Sequence, residues 1–261
     1  MLVAAESINA HILFFALFAI IDQSMNLLLT SDGISNPTIA DALQEMVGKD
    51  PHEASVAFIP TAANPERRDK TWMIKNMSDF ADEGYSVDVI ELTAFGATAL
   101  QGALEKSDVI CVGGGNAFYL SHWMQKSGLF EMMPDLLTER AYVGISAGSM
   151  IAGQSLALSS QAVKHRQAFL RGDYDALGSP GEVSAKTLGL ANIAIRPHLG
   201  ERVFSIKPVE GFEQINRLEE IAKAIGHQVY ALDNHTALQI IDGETTVVSE
   251  GEWLRIPSNV S

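Results

Sequence analysis

Ser146 lies between two glycines in the run Gly144-Ile145-Ser146-Ala147-Gly148, which follows the apolar residues Ala141-Tyr142-Val143 and precedes Ser149-Met150-Ile151-Ala152. This spacing predicts a strand, a sharp turn and a helix, with the serine on the turn. Flanking glycines allow a bend too tight for a residue with a Cβ, so the hydroxyl projects as a nucleophile and the amide of Ala147 faces a developing oxyanion. The plainer reading is a glycine-bounded turn whose serine only caps the helix. A second glycine run, Gly113-Gly114-Gly115-Asn116, follows the strand-like Asp108-Val109-Ile110-Cys111-Val112. The amide of Gly114 or Gly115 is then a candidate second oxyanion donor, and Asn116 a candidate substrate contact. The run lacks the Lys-Ser/Thr ending of a phosphate loop and the G-x-G-x-x-G spacing of a dinucleotide fold.

A serine hydroxyl is a weak nucleophile at neutral pH and needs a base that takes its proton and returns it to the leaving group. Of seven histidines, His198 follows the strand-like Ala191-Asn192-Ile193-Ala194-Ile195 and is fixed by Pro197. A strand end suits catalysis, although a lone histidine there is more often a surface residue. His122 falls within a helical pattern, and His165 sits in the basic cluster Lys164-His165-Arg166, which reads as a solvated face or as a receiver for a substrate carboxylate. Cys111 lies inside an apolar run and reads as a buried structural residue. No His/Cys/Asp cluster has metal-ligand spacing, so neither a metal nor another cofactor is expected.

The elements that must position these groups are regular. Strand patterns at 26–30, 54–59, 87–92 and 108–112 alternate with helix patterns at 36–47, 70–82 and 97–104, which predicts one α/β domain over residues 25–258. Asn36-Pro37 opens the first helix as N-cap and first-turn proline. In a parallel sheet both glycine turns would lie at the carboxyl edge, where open α/β sheets bind ligands. From Ser159 to Thr187 the pattern lapses into a polar loop, which reads as substrate-facing or as plain disorder.

These motifs resemble peptidase family S51, which contains aspartyl dipeptidase (peptidase E) and cyanophycinase. The resemblance runs roughly from Met25 to Ile256 and rests on four stretches in order: Met25-Asn26-Leu27-Leu28-Leu29-Thr30-Ser31, Val112 to Leu120, Gly144 to Ser149, and Arg196-Pro197-His198. It implies an α/β three-layer sandwich with a mostly parallel central sheet, similar to class I glutamine amidotransferases and flavodoxin-like. It also implies Ser146 as nucleophile and His198 as base. The family places an acid in the stretch matching Ala231-Leu232-Asp233-Asn234-His235-Thr236-Ala237, where the aligned position carries Asn234 and Asp233 stands one residue earlier. Asparagine can orient an imidazole but cannot stabilise imidazolium by charge. Adjacent residues on an extended chain point opposite ways, so at most one of the two faces His198; Asp233 is taken as the third member. The implied substrates are small peptides, with an amino-terminal aspartyl residue in the dipeptidase branch or a β-aspartyl linkage in the cyanophycinase branch. Arg166, Arg171 and Arg196 are candidates to meet the carboxylate.

An α/β-hydrolase esterase would also use G-x-S-x-G, but its chain order is serine, acid, histidine, whereas here the best histidine precedes the best acid. A fold relative that binds without catalysis would keep the glycine turns and tolerate loss of the acid. The net charge of -14 argues against nucleic acid as a partner. A single cysteine excludes an intrachain disulfide and fits a reducing, cytoplasmic setting. Residues 1–24 form an apolar N-terminal extension. Its run Ile12 to Ile21 is short of the roughly 20 residues that span a bilayer, so no membrane partner is expected. No Lys or Arg precedes Lys49, as a signal peptide would require. The extension reads best as an upstream segment from a misassigned start, with Met25 as initiator. A homo-oligomer contact and a poor export signal are the other readings.

Overall fold

A computed structural model of the chain describes residues 25–67, 69–164, 171–172, 183–200 and 211–258. The N-terminal extension and the Lys164-His165-Arg166 histidine and arginine lie outside the described residues. Ten strands are present among them. A seven-stranded sheet contains β1 (Asn26–Thr30), β2 (Ser55–Ile59), β3 (Ser86–Val89), β4 (Val109–Val112), β5 (Ala141–Ile145), β8 (Thr236–Ile241) and β9 (Glu244–Ser249) in the order β3-β2-β4-β5-β1-β8-β9. The pairs from β3 through β1 are parallel, and β8 and β9 add an antiparallel edge. A three-stranded sheet, β10-β7-β6, comprises β6 (Ile193–Arg196), β7 (Gln228–Leu232) and β10 (Trp253–Ile256).

Both faces of the large sheet are covered, which is why its central strands read as unbroken apolar runs. Side chains alternate between two cores, as the two-residue strand period requires. Leu27, Leu29, Ile110, Val112 and Tyr142 enter one core, whereas Leu28, Val109, Cys111, Ala141 and Val143 enter the other. Helices α1 (Pro37–Val47) and α2 (Thr71–Asp82) close the second core with Ile39, Leu43, Met46 and Phe80. Helices α3 (Ala97–Leu104), α4 (Ala117–Lys126), α5 (Leu129–Leu136) and α6 (Ala147–Ala152) close the first. This is the α/β sandwich with a mostly parallel central sheet that the sequence predicts. Truncating a fully buried residue such as Leu28 or Phe80 to alanine would cost about 2–5 kcal/mol.

The small sheet follows the same alternation. Ile193, Ile195, Tyr230 and Leu232 join the first core of the large sheet, whereas Ala194, Val229 and Ala231 face α8 (Gly211–Ile225) through Leu218, Ile221 and Ala222. The two sheets are thus joined by apolar packing, and the chain crosses between them from β5 to β6, from β7 to β8 and from β9 to β10, the last two crossings being short.

Local signals hold in several places. Asn36 caps α1 by accepting the Ile39 amide, Pro37 fills its first position, and Gly48 ends it in the left-handed region at φ 69°. The third strand is shorter than the sequence pattern suggests, ending at Val89 rather than Leu92. Its pairing with β2 stops there, and Ile90 and Leu92 are buried on the way into the next turn. Within the expected 159–187 loop, residues Ser160–Lys164 form a five-residue helix, α7. No helix among the described residues is long and apolar enough to cross a membrane.

Candidate active site

The carboxyl ends of β1, β2, β4 and β5 open onto one cleft of about 540 Å³, and Ser31, Gly114, Gly115, Ser146, His198 and Asn234 line its floor. Ser146 occupies the turn from β5 into α6 at φ 50° and ψ −99°, a sparsely populated conformation that costs on the order of 1–3 kcal/mol. The surroundings hold it there. The Ser146 amide donates to Thr30 at 3.0 Å, and the Ser149 hydroxyl reaches both Thr30 and Gly144 carbonyls at 2.7 Å. Gly148 lets α6 touch β4: a Cβ there would lie 1.9 Å from the Val112 carbonyl oxygen. At Gly115, φ is 132° and a Cβ would lie 2.2 Å from the Ala62 carbonyl oxygen, so glycine is required twice over.

The imidazole of His198 comes from the other sheet. Its Nε2 is 3.0 Å from Ser146 Oγ, and its Nδ1 is 2.8 Å from Asn234 Oδ1. An amide oxygen only accepts, so Nδ1 carries the proton and Nε2 presents its lone pair to the serine hydroxyl. His198 itself is left-handed at φ 60°, outside the range side chains prefer. Its main-chain N–H donates to Ser31 Oγ at 2.7 Å, and the Ser31 hydroxyl lies 3.3 Å from the Leu232 carbonyl and 3.4 Å from Asn234 Oδ1.

Asp233, the residue expected to face His198, does not do so. Its carboxylate accepts from the His235 amide at 3.0 Å, the Thr236 hydroxyl at 2.7 Å and the Glu252 amide at 2.6 Å. The charge is spent on closing the β7–β8 turn, as Asp side chains do when an amide two residues on and a hydroxyl three residues on are within reach. Asn234, on the opposite side of the chain, takes the position against the imidazole. Asn116 also departs from its expected role. It is buried, its side chain caps α4 by accepting from the Phe118 and Tyr119 amides, and it is not among the residues lining the cleft.

Two glycine amides and the Ala147 amide frame the serine. Gly113 and Asn116 donate to the Ile59 and Ala62 carbonyls at 3.0 and 2.8 Å, while among the described residues Gly114 and Gly115 make no main-chain hydrogen bond through nitrogen. Ala147 opens α6, so its amide has no acceptor within the helix. Donors of this kind on a part-buried floor can hold an anionic oxygen.

The cleft wall contains residues that sequence reasoning missed. Arg67, Glu66 and Asp69 line it from the segment after β2, with Trp72 and Asn76 from α2 and Asp32 from the segment after β1. Their signal was positional: each follows the carboxyl end of a parallel strand or lies in the first half of the helix after it. Asp69 is held below the ordinary carboxylate range by the Thr71 hydroxyl and amide, so it is charged at neutral pH. Of the arginines considered for a substrate carboxylate, Arg196 is buried in β6 and donates to the Leu158 carbonyl at 3.0 Å, and Arg171 is exposed and does not line the cleft. Cys111 is fully buried, and burial pushes its thiol well above its ordinary value, which leaves it inert as a nucleophile. Among the described residues no group of three or more His, Cys, Asp or Glu side chains is arranged to hold a metal ion.

An open α/β sheet with a strained serine at a strand end, a histidine on its hydroxyl and a cleft above both is the architecture of a hydrolytic enzyme. The chain matches peptidase family S51 over residues 27–248 and belongs to that family; it is a peptidase. Among its relatives, peptidase E of Pasteurella multocida (strain Pm70) is 27% identical over 229 residues, covering 86% of this chain and 85% of that one. An uncharacterized peptidase of the same organism is 25% identical over 195 residues, covering 74% and 84%. The crystal structure of a peptidase E candidate from Listeria monocytogenes EGD-e matches with a TM-score of 0.65 at 20% identity, over 87% of this chain and 100% of that one. That likeness is one of fold, a flavodoxin-like α/β sandwich.

Proposed function

We propose that the protein is a serine peptidase that hydrolyses small peptides carrying an amino-terminal aspartyl residue, with Ser146 as nucleophile and His198 as base. The observation that carries the reading is the 3.0 Å approach of His198 Nε2 to Ser146 Oγ, with Nδ1 tied to Asn234. Nε2 takes the Ser146 proton as Oγ attacks the peptide carbonyl. The amides of Ala147 and of Gly114 or Gly115 hold the oxyanion, and His198 returns the proton to the leaving amine. Water, deprotonated by the same imidazole, then adds to the acyl-serine and frees the acid.

The aspartyl preference is supported by relatives bearing the name peptidase E and by the charges in the cleft. Among the described lining residues Arg67 is the one with a permanent positive charge, and a guanidinium takes a carboxylate in a two-pronged contact. The carboxylates of Glu66, Asp69 and Asp32 share the wall and suit a free amino terminus. An amino-terminal aspartyl residue presents both charges within a few bonds of each other.

The test is hydrolysis of Asp-Leu, Ala-Leu and a β-aspartyl dipeptide by the purified chain beside Ser146→Ala, His198→Ala and Arg67→Ala. Cleavage of Asp-Leu that disappears in the first two variants and loses its advantage over Ala-Leu in the third is the expected result. Preference for the β-aspartyl dipeptide would move the assignment to a cyanophycinase-like specificity. Cleavage of none, with no labelling by a serine-directed fluorophosphonate, would favour a binding protein instead.

A further inference from the structure

We infer that Ser31 is a positioning residue for the base, a role that rests on the proposed Ser146–His198 chemistry. Ser31 follows the last residue of β1, is fully buried, and brings a hydroxyl to the point where the two sheets meet at the cleft. One oxygen there touches three parts of the machinery: the main-chain N–H of His198 at 2.7 Å, the Leu232 carbonyl at 3.3 Å and Asn234 Oδ1 at 3.4 Å. A hydroxyl accepts and donates at once. Having accepted from His198, Ser31 directs its own proton to the end of β7 or to the amide that orients the imidazole.

The strain at His198 makes this contact consequential. A non-glycine residue at φ 60° is strained and stays there only if its surroundings fix it. The 2.7 Å bond from Ser31 fixes the strained amide itself. His198 is anchored in the small sheet and Ser146 in the large one, so a small rotation about the His198 backbone would open the 3.0 Å contact between them.

Asn234 sharpens the dependence. A carboxylate attracts a developing imidazolium over several ångströms and tolerates some misplacement, because charge–charge energy falls only as the inverse of distance. A neutral amide acts through a directional hydrogen bond that weakens steeply when bent. With an asparagine beside the base, alignment must come from the scaffold, and Ser31 supplies it at both ends of the His198–Asn234 pair. Ser35 reinforces the frame by donating to the Asn234 carbonyl at 2.6 Å.

The test is a double-mutant cycle of Ser31→Ala and Asn234→Asp, read as kcat and KM for the cleaved dipeptide and as the rate of Ser146 labelling by a fluorophosphonate, with Ser146→Ala as the blank. Ser31→Ala should lower kcat and the labelling rate about 30-fold with KM within about twofold, because the loss falls on the transition state. In the Asn234→Asp background the same change should cost only about threefold, since the carboxylate restores attraction that alignment no longer provides. A residue that merely supports the fold would cost the same factor in both backgrounds, and that equality, or full activity of Ser31→Ala, overturns the inference. Should Ser31→Ala fail to fold by circular dichroism, Ser31→Cys keeps the volume with a poor hydrogen-bond acceptor and replaces it in the cycle, with the same outcomes. A wild-type chain that neither hydrolyses nor labels overturns the serine-peptidase reading, and this inference with it; that result is visible before any Ser31 variant is made.

Discussion

The Ser146 side of the cleft, which carries the proposed nucleophile, and the His198 side, which carries the proposed base, are built in different ways. Ser146 is held by main-chain packing within its own sheet: Gly148 presses α6 against Val112, and Ser149 and the Ser146 amide bond the carbonyls of the adjoining strand ends. His198 is held by side chains drawn from across the chain, with Ser31 167 residues away and Asn234 36 residues away. The first arrangement is rigid because any loosening breaks close atomic contacts in a packed core. The second is a set of directional bonds between two sheets, each replaceable by a single substitution. Catalysis on this chain would therefore be tuned on the base side and protected on the nucleophile side.

The strongest test of that asymmetry removes the reacting groups. Ser146→Ala should reduce kcat/KM by about 10⁴-fold or more, as should His198→Ala, with folding retained in both. Asn234→Ala should be milder, lowering kcat about 100-fold while KM holds, since the base survives without its anchor. A loss as large as that of His198→Ala would mean that the amide does more than orient. On the nucleophile side the effect should appear in stability instead. Gly148→Ala should cost on the order of 3 kcal/mol in urea unfolding, because the new methyl would meet a carbonyl that the parallel sheet cannot move.

The smallest expected effect concerns the dryness of the packing around the large sheet. Burial holds the Cys111 thiol and the Tyr142 hydroxyl well above their ordinary values of 9.0 and 10.0, with Cys111 adding to the rise at Tyr142. Burial, with the Glu83 charge, also pushes the Tyr85 hydroxyl up to about 12. In each case the folded value exceeds the unfolded one, so the unfolded chain releases protons first as pH rises. Stability from these groups is intact below about pH 9 and declines above it. Urea midpoints at pH 8 and pH 10 should show the decline, and Cys111→Ala should make it shallower.

The asymmetry also explains what was legible. The strand-to-helix serine and the glycines around it form one continuous stretch, so periodicity and spacing sufficed to place Ser146 at a strand end. The choice between Asp233 and Asn234 was not legible, because it turned on which of two neighbours the β7–β8 turn would consume. Two local donors, the His235 amide and the Thr236 hydroxyl, claim the carboxylate of Asp233, and the Glu252 amide, 19 residues on, reaches it only in the folded chain. Ser31 and Arg67 escaped for a related reason: Ser31 ends a matching stretch that carries no chemistry of its own, Arg67 belongs to no motif, and the place of each beside the cleft is set by what distant strand ends bring there.

The sequence by itself determined the alternation of strands and helices, the two-faced burial of the central sheet and the turn that carries Ser146, since these follow from periodicities and from glycine positions a few residues apart. The tertiary structure alone decided that His198 reaches Ser146, that Asn234 rather than Asp233 backs it, and that Ser31 ties them together. Those contacts join residues 36 to 203 positions apart, and their geometry is fixed by how two sheets pack against each other rather than by any local preference of the chain.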